Sequence, residues 1–492
     1  MICVVIKGPS FDEANRQISH SLPYADCIEL RLDCFNTLDM NALRKLRSYF
    51  SIPMIFTLRS VQQGGAYKGS EEERLADICR LVALEPEYFD LENHVSAHFI
   101  ADISLNYPKI KLILSYHHFM AVPEDLEKLY DDMRKVPASL YKVAVTPCNC
   151  LDVVRFMLWV KKNSGNLIAI GMGIHGQISR VLVPILGCPF VYASFEEDEN
   201  ALGQLSAKTL IHTYHYRNLN PQTAVYALIG DPVDRSMSHE THTELMSACG
   251  LNAVYVKIQV TSLELDAFLQ LAKCLPICGI SVTMPLKEHI IPFLDEIDVQ
   301  AMNIGAVNTV LLREGKWCGF NTDGIGALNA LESECRVKDK RIVIIGAGGA
   351  AKAVVYEAIR RGAIVTVINR DETKALEIAK KYGCEGSGLE CMTNGISVDY
   401  DILINCTPVD CPIALESIIP GTTVMDIKTR ARDTAFLKYA KQKKCRIIYG
   451  SRMFTEQAIG QFALWFKDRV DDQTCRAILE NKLEECIFAY KK

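Results

Sequence analysis

Eight short apolar runs, separated by segments of helical character, occupy the first 215 residues and limit the folds open to this part of the chain. The runs are ICVVIK, CIELRLD, MIFTLR, YFDLE, KLILSYH, YKVAVTP, LIAIGMG and FVYASF. Intervening stretches such as SEEERLADICRLVALE carry apolar residues at helical spacing, and most run-to-run intervals fit one strand–loop–helix–loop unit. Eight such units predict a closed (β/α)8 barrel. An open doubly wound sheet is the competing fold, but it does not require eight evenly repeated units.

Composition narrows the class of protein. The chain has 492 residues, 49% of them hydrophobic, which is enough for two large domains and a third smaller one. The net charge is −5 with both signs interspersed, so neither a nucleic-acid partner nor a membrane patch is expected. The 19 cysteines are scattered through apolar segments, and no basic-then-apolar leader precedes MICVVIKGPS. We therefore expect reduced thiols in a cytoplasmic protein.

Two further patterns argue against a metal and against a membrane span. In HETHT, His239 and His242 are three residues apart, whereas a zincin helix needs a spacing of four, so no metal is predicted. The apolar stretch VLVPILGCPFVYASF is too short to cross a bilayer and is cut by Pro184 and Pro189.

Polar residues cluster where the predicted barrel strands end, which is where a barrel of this kind carries its chemistry. They are Glu29, Arg31, Arg59, Asp90, Glu92, His117 and Lys142. A single arginine there is more often solvated, but convergence from five strands indicates a site. Lys142 is the most informative of them, because an ammonium group in a strand buried on both faces is costly to desolvate. Either it reaches solvent at the strand end or it has a function.

These residues carry a resemblance, over nearly all of residues 1–215, to the type I 3-dehydroquinate dehydratases. The motifs ELRLD, TLR, SYHHF, YKVAV, GQISR and ALGQ resemble that family's strand-end motifs in order. The resemblance implies that Lys142 is the Schiff-base lysine and that His117, selected over His118 by the S-x-H-x-F spacing, is the general acid/base. The implied substrate-holding residues are Glu29, Arg31, Arg59, Arg180 and Gln204. One departure is Asn200, where the family has a serine that bonds the substrate.

The residue types suit removal of water from a β-hydroxy ketone. A neutral lysine amine can attack the ketone, and the iminium that results acidifies the adjacent C–H bond. We expect the apolar strand and neighbouring arginines to favour the neutral amine of Lys142. His117 can take the proton and return it to the leaving hydroxyl, and Arg180 suits a substrate carboxylate.

A second folded part follows the polar stretch YHYRNLNPQ, which ends at Pro221 before a new apolar strand. It contains RIVIIGAGGAAKAVVYEAIRRGAIVTVINRD, in which a strand meets Gly346, Gly348 and Gly349, a helix follows, and Ala351 fills the third place of the G-x-G-x-x-[GA] motif. Strand, glycine loop and helix together predict a Rossmann dinucleotide site. The next strand ends at Arg370, which suits a 2′-phosphate where an NAD site usually has an acidic residue, so the predicted cofactor is NADP.

The motifs GISVTMPLKEH, IGAVNTV, GFNTDGIG and GSRMFTEQAIGQF give residues 224–470 a resemblance to the shikimate dehydrogenases. The resemblance implies that Lys287 and Asp323 are the catalytic pair. It implies substrate contacts at Ser236, Ser238, Thr283, Asn308 and Gln457, and an NADP site at Gly346, Ala347, Gly348, Gly349, Ala350, Asn369, Arg370 and Gly450. Three departures are His239 for proline, Thr243 for asparagine and Thr429 for tyrosine.

Together the two resemblances imply a fused enzyme that acts on small molecules: it dehydrates 3-dehydroquinate to 3-dehydroshikimate and then reduces this to shikimate with NADPH. The expected domains are the barrel at 1–215, a substrate-binding domain at 222–325 completed by 456–492, and the Rossmann domain at 326–455. One alternative is quinate oxidation by the second half, against which Ser236 and Ser238 weigh. The other is a non-catalytic metabolite sensor, which should have lost at least one of Lys142, His117, Lys287 and Asp323.

Overall fold

The computed structural model describes residues 1–196, 203–234, 236–392, 399–429 and 433–489, apart from the side chain at position 468. The chain forms two compact units. The first contains Met1–Ala224, Asn252–Val260 and Ala267–Pro276, and the second contains Val225–Leu251, Thr261–Asp266 and the chain from Ile277 onwards. Within the described ranges, no helix combines the length and the apolar character needed to cross a membrane.

The first unit contains the eight strands that the sequence predicted. They are β1 (Ile2–Ile6), β2 (Cys27–Arg31), β3 (Met54–Thr57), β4 (Tyr88–Glu92), β5 (Lys111–His118), β6 (Leu140–Val145), β7 (Leu167–Gly171) and β8 (Val191–Ser194). They lie in the order β7-β6-β5-β4-β3-β2-β1-β8, and every ladder described between them is parallel. The result is a nearly closed eight-stranded barrel, which confirms the predicted fold.

Helices alternate with these strands, as a (β/α)8 barrel requires. They are α1 (Phe11–Ser21), α2 (Met40–Tyr49), α3 (Glu71–Val82), α4 (Ala97–Asn106), α5 (Leu126–Arg134), α6 (Cys150–Asn163), α7 (Gly173–Gly176), α8 (Ser179–Leu182) and α9 (Ala207–His212). Capping residues fix where several of them begin. Ser70, for example, accepts a hydrogen bond from the backbone N–H of Glu73, whose side chain bonds back to Ser70 in a capping box.

The second unit begins with β9 (Ala224–Gly230) and α10 (Ser238–Ala248), which are followed along the chain by β10 (Ala253–Gln259) and α11 (Leu265–Ala272), although β10 and most of α11 belong to the first unit. The elements after them are β11 (Ile277–Val282), α12 (Leu286–His289), β12 (Glu296–Ile297), α13 (Val299–Ile304), β13 (Thr309–Arg313), β14 (Lys316–Phe320) and α14 (Asp323–Glu332). Strands β9, β11, β13, β14 and β12 follow one another in a mixed sheet, in which β13 is antiparallel to both neighbours. The carboxyl end of β11 leads directly into Thr283 and α12.

A third, fully parallel sheet follows in the same unit. Its elements are β15 (Arg341–Ile345), α15 (Gly349–Arg360), β16 (Ile364–Asn369), α16 (Glu372–Tyr382), β17 (Glu385–Gly388), β18 (Ile402–Asn405), β19 (Thr423–Asp426), α17 (Ala435–Gln442) and β20 (Arg446–Tyr449), with α18 (Gly450–Phe466) and α19 (Asp472–Ala489) at the end. The strand order β17-β16-β15-β18-β19-β20 is that of a doubly wound dinucleotide-binding fold. Both faces of β15 are buried, since Ile342 and Ile344 pack under α14 and α15 while Val343 and Ile345 pack under α17. The predicted Rossmann fold is confirmed.

Candidate active sites

Lys142 lies inside the barrel and does not reach solvent. It is the third residue of β6, paired in register with Ser115 of β5, and 3% of it is exposed. Its Nζ is 3.1 Å from Oδ2 of Asp90 and 3.2 Å from Oε1 of Glu29. The charged groups in contact with the amine are therefore carboxylates, where the sequence had led us to expect arginines.

A network of hydrogen bonds holds these carboxylates. Arg59 contacts Oδ1 of Asp90 at 2.9 Å, and Ser115 donates to the same oxygen at 2.6 Å. Thr57 donates to Oε1 of Glu29 at 2.9 Å. Burial opposes ionisation of Asp90, but the charges on Arg59 and Lys142 outweigh it and hold the pKa of Asp90 well below its usual range. Asp90 is therefore a fixed negative charge beside Nζ.

His117 lies near the end of β5, one strand from Lys142. Its backbone N–H donates to Oε1 of Gln63 at 3.0 Å, and its ring Nδ1 has no hydrogen-bond partner among the described residues. Burial, and then the charges on Arg59 and Lys142, lower the pKa of His117 well below its usual value. The ring is thus a neutral imidazole, the form that can accept a proton.

His118, the rival candidate, has a different environment. Its ring Nδ1 accepts from the backbone N–H of Ala121 at 3.1 Å, and its carbonyl accepts from Thr146 at 3.3 Å. Its ring is hydrogen-bonded to the loop after β5. His117 is therefore the better candidate for proton transfer.

Arg180 is a buried cation without a counter-charge in the described part of the chain. It lies on α8 with 4% exposure, and neither Nε nor Nη1 has a described partner. Burial lowers the pKa of Arg180 to about 10. A guanidinium held this way is suited to an anion brought by a ligand.

Two other residues predicted for the barrel site, Arg31 and Gln204, lie in different environments. Arg31 makes a two-point pair with Asp33, at 2.8 and 3.0 Å. Gln204 is partly exposed and follows residues 197–202, so the departure at Asn200 lies outside the described residues.

In the second unit, Lys287 of α12 pairs with Asp323, the first residue of α14, at 2.5 Å between Nζ and Oδ2. Asn308 donates to the other oxygen of Asp323 at 2.8 Å, and also to Thr322 at 2.9 Å and Gln457 at 3.4 Å. Four residues predicted from separate motifs are therefore in one network. Lys287 keeps 17% of its side chain exposed, so the pair is accessible.

Two serines and one threonine complete the predicted substrate contacts. The hydroxyl of Ser236 donates to that of Ser238 at 2.9 Å, at the start of α10. Thr283 is partly exposed directly after β11. The departures at His239 and Thr243 fall within α10, and Thr429 follows the end of β19.

The glycine loop leaves room for a ligand at the start of α15. Gly346 has φ +118°, a conformation that favours glycine, and a Cβ at Gly348 would meet no atom within 4 Å. A Cβ at Gly349 would lie 3.1 Å from Cβ of Lys287, so the loop and Lys287 are neighbours. Ala347 and Ala350 flank these glycines, and the N-terminus of α15 is a favourable site for phosphate.

At the end of β16, Asn369 bonds the carbonyl of Asp371 at 3.0 Å and Arg370 is exposed. Gly450 begins α18, where a Cβ would lie 2.4 Å from the carbonyl oxygen of Lys428. Close backbone packing is sufficient to explain this glycine.

Several residues that form these hydrogen-bond networks were not assigned a role from the sequence. Asp90 was noted only as a strand-end residue, and Thr57, Ser115, Gln63 and Thr322 were not noted. A polar residue inside an otherwise apolar strand was the signal for Asp90, Thr57 and Ser115. No comparable signal marked Gln63, which ends a short 3-10 helix after β3.

The chain has a barrel with a buried lysine among charged groups, and a second part with a lysine–aspartate pair beside a Rossmann fold. These features are typical of a chain that combines a lyase with a nicotinamide-dependent oxidoreductase. Comparison with known families divides the chain into the same two parts. Residues 2–221 match type I 3-dehydroquinase, residues 228–310 match the shikimate dehydrogenase substrate binding domain, and residues 328–433 match shikimate/quinate 5-dehydrogenase.

Similar proteins include chains with the same two parts. Shikimate biosynthesis protein AroDE of Chlamydia pneumoniae is 36% identical over 479 residues, which cover 96% of this chain and 97% of that protein. The chloroplastic bifunctional 3-dehydroquinate dehydratase/shikimate dehydrogenase of Arabidopsis thaliana is 33% identical over 94% of this chain and 82% of its own length. Shikimate dehydrogenase (NADP(+)) of Pyrococcus furiosus is 40% identical over 53% of this chain and 96% of its own length. The chain belongs to the family of bifunctional 3-dehydroquinate dehydratases/shikimate dehydrogenases.

Proposed function

We propose that Lys142 carries out the dehydration of 3-dehydroquinate through an imine. Glu29 contacts Nζ and has no arginine partner among the described residues, so it is suited to take one ammonium proton before attack. The amine nitrogen then bonds to the ketone carbon. The ketone oxygen takes one proton from that nitrogen and one back from Glu29 and leaves as water, which produces an iminium ion. The burial of Lys142 between two carboxylates is the observation that carries this proposal.

His117 moves the proton that the elimination of water requires. Its neutral imidazole takes the proton from the carbon next to the iminium, and the electron pair of that C–H bond moves toward nitrogen to give an enamine. The imidazolium returns the proton to the hydroxyl on the next carbon, which departs as water while the enamine becomes an iminium again. Hydrolysis then releases 3-dehydroshikimate and the free amine of Lys142.

Substrate holding in the barrel falls to Arg180, Arg59, Arg31, Glu29 and Gln204. Arg180 takes the carboxylate, because it is a buried cation without a described counter-charge. Arg59 is engaged by Asp90 and Ser115 and serves mainly to set the charge around Lys142 and His117.

The second unit reduces the ketone of 3-dehydroshikimate to shikimate, with NADP as its cofactor. The open space at Gly348, the N-terminus of α15 and the exposed guanidinium of Arg370 fit a dinucleotide with a 2′-phosphate. Gly346, Ala347, Gly349, Ala350, Asn369 and Gly450 complete the proposed site. When bound, NADPH supplies the hydride.

Lys287 supplies the proton that the substrate oxygen takes, and Asp323 holds the lysine in place. Asn308 fixes Asp323 from the other side, and Thr283 and Gln457 offer further polar contacts to the ring. Ser236 and Ser238 bind the shikimate carboxylate. We also propose the domain division at residues 215, 325 and 455, which agrees with the three sheets.

The direct test supplies the purified chain with 3-dehydroquinate and NADPH and follows shikimate by chromatography together with loss of NADPH absorbance. Shikimate formed in step with NADPH oxidation is the expected result. A parallel assay with shikimate or quinate and NADP in the reverse direction measures the preference between the two acids. Faster oxidation of quinate, or no product from 3-dehydroquinate, would contradict the proposal.

A further inference from the structure

Tyr192 places an aromatic ring against the amine of Lys142. The residue is on β8, 6% of it is exposed, and its ring centroid lies 4.1 Å from Nζ. No described ion pair or hydrogen bond of Lys142 involves this residue. From this geometry we infer that Tyr192 is a positioning residue of the dehydratase, which holds Nζ by a cation–π contact through both charged stages of the reaction.

A count of donors supports this role. A lysine ammonium has three N–H bonds and no acceptor. Two are used by Glu29 and Asp90, at 3.2 and 3.1 Å. The face of the Tyr192 ring provides a third, negatively polarised surface, and cation–π contacts are strongest when both groups are removed from water. The buried amine therefore contacts two carboxylates and one ring face.

The ring face, and not the hydroxyl, is the relevant part of Tyr192. The phenol oxygen is buried and has no hydrogen-bond partner among the described residues. Tyr192 belongs to the apolar core of the barrel together with Cys3, Cys27 and Phe190. Burial, followed by the charge on Glu29, raises the pKa of Tyr192 well above its usual value, so the group stays a neutral phenol during turnover.

The consequence for the reaction rests on the proposed imine at Lys142. The positive charge is on the same nitrogen before attack, as ammonium, and after loss of the ketone oxygen as water, as iminium. The ring face can stabilise both the ammonium and the iminium. It does so without a hydrogen bond in the plane in which the ketone carbon approaches Nζ. Nζ therefore keeps one position while its bonding partner changes from hydrogen to carbon.

The test compares Tyr192→Phe, which keeps the ring face and removes the hydroxyl, with Tyr192→Leu, which removes the face. Tyr192→Phe should keep dehydratase kcat within about twofold of wild type, because it deletes only an unpartnered buried oxygen. Tyr192→Leu should lower kcat roughly 3- to 30-fold with little change in KM, the range expected for loss of one buried cation–π contact. The rate of borohydride trapping of substrate on Lys142 should fall in the same proportion.

Tyr88→Leu is the matched control. Tyr88 is a buried tyrosine of the same core, but its ring faces Lys111 and not Lys142. A general packing defect in the barrel should therefore affect Tyr88→Leu and Tyr192→Leu alike, whereas a contact with Nζ affects only the latter. Reduction of added 3-dehydroshikimate measures whether the second unit of each variant is intact.

Three results would overturn the inference. They are wild-type kcat and trapping in Tyr192→Leu, an equal loss in Tyr192→Phe, and an equal kcat loss in Tyr88→Leu. Absence of any trapped adduct in active wild-type protein is a different outcome, because it would remove the imine itself and hence the proposed function. Trapping in the wild type with no effect in Tyr192→Leu would remove only the role of Tyr192.

Discussion

Among single residues, Arg180 shows most directly that part of the barrel is built for a ligand. A buried cation normally has a carboxylate partner, as Arg74 has with Glu92 at 2.6 Å. Arg180 has none among the described residues, and burial lowers its pKa to about 10. Because such a group costs stability unless an anion pairs with it, we propose that Arg180 belongs to the substrate site.

Arg180→Gln should therefore weaken binding and stabilise the fold. We expect KM for 3-dehydroquinate to rise roughly 10- to 100-fold, from loss of charge-assisted hydrogen bonds to the carboxylate. The melting temperature should stay the same or rise, because an uncompensated buried cation is removed. Arg74→Gln is the control: it should lower the melting temperature, since it removes the nearer of the two arginines that pair with the buried Glu92. A large loss of stability in Arg180→Gln would contradict the assignment.

His117 gives a pH prediction at the same scale. Burial and the charges on Arg59 and Lys142 lower the pKa of His117. In the folded protein its ring is therefore protonated only at a pH well below about 6.5, the usual pKa of a histidine. Because the neutral ring is the base, its contribution to catalysis should persist as pH falls through 6.5 and be lost only at lower pH. Histidine-selective NMR, with His117→Ala for assignment, measures the titration. A midpoint near 6.5 would contradict the proposed environment.

At the level of elements, the strands were predictable because each is a short apolar run bounded by turn residues. The run YFDLE coincides with β4, and YKVAVTP contains most of β6. The contacts across the barrel were not predictable, because they depend on how neighbouring strands are aligned. Only the register that sets Ser115 beside Lys142 brings Asp90, bonded to Ser115, within reach of the amine.

Loops and side-chain directions limited prediction in the same way. The sequence predicted Arg31 as a substrate contact but did not predict its two-point pair with Asp33, two residues later. Gln63 bonds the backbone of His117 across 54 positions of sequence, which no local pattern could reveal. Residue types and strand ends therefore predicted the site's chemistry, but not its supporting contacts.

Substitutions in the glycine loop can test two roles of this element, which are to leave room for the cofactor and to pack against Lys287. A methyl group at Gly348 would enter open space, whereas one at Gly349 would lie 3.1 Å from Cβ and 3.4 Å from Cδ of Lys287. We expect Gly348→Ala to raise KM for NADPH by crowding the cofactor. Gly349→Ala should also lower dehydrogenase kcat, because it displaces Lys287 from Asp323. Steady-state kinetics with varied NADPH separates the two effects, and equal kcat in both variants would contradict the proposed contact with Lys287.

At the scale of the whole molecule, each proposed reaction uses residues of one compact unit. Lys142, Glu29, Asp90 and His117 belong to the first unit, and Lys287 belongs to the second. No residue proposed for one reaction is proposed for the other. The two activities should therefore be separable by single substitutions, although one chain carries both.

Complementation between two inactive chains tests this separation. Lys142→Ala should lose dehydration and keep reduction of added 3-dehydroshikimate, and Lys287→Ala should show the reverse. Neither variant alone should convert 3-dehydroquinate and NADPH to shikimate. An equimolar mixture should do so after a lag, because 3-dehydroshikimate made by one chain must accumulate in solution before the other chain can use it.

The surface substitutions Lys45→Ala on α2 and Lys380→Ala on α16 provide controls, because both side chains are exposed and outside the proposed sites. Each should keep the whole conversion. Shikimate from either active-site variant alone would show that the assigned lysine is dispensable. A mixture that stays inactive, while each chain keeps its single reaction on added substrate, would mean that the intermediate does not pass between chains. The lag should shorten as the Lys287→Ala chain, which makes the intermediate, is added in excess, since its concentration sets the supply for the second step.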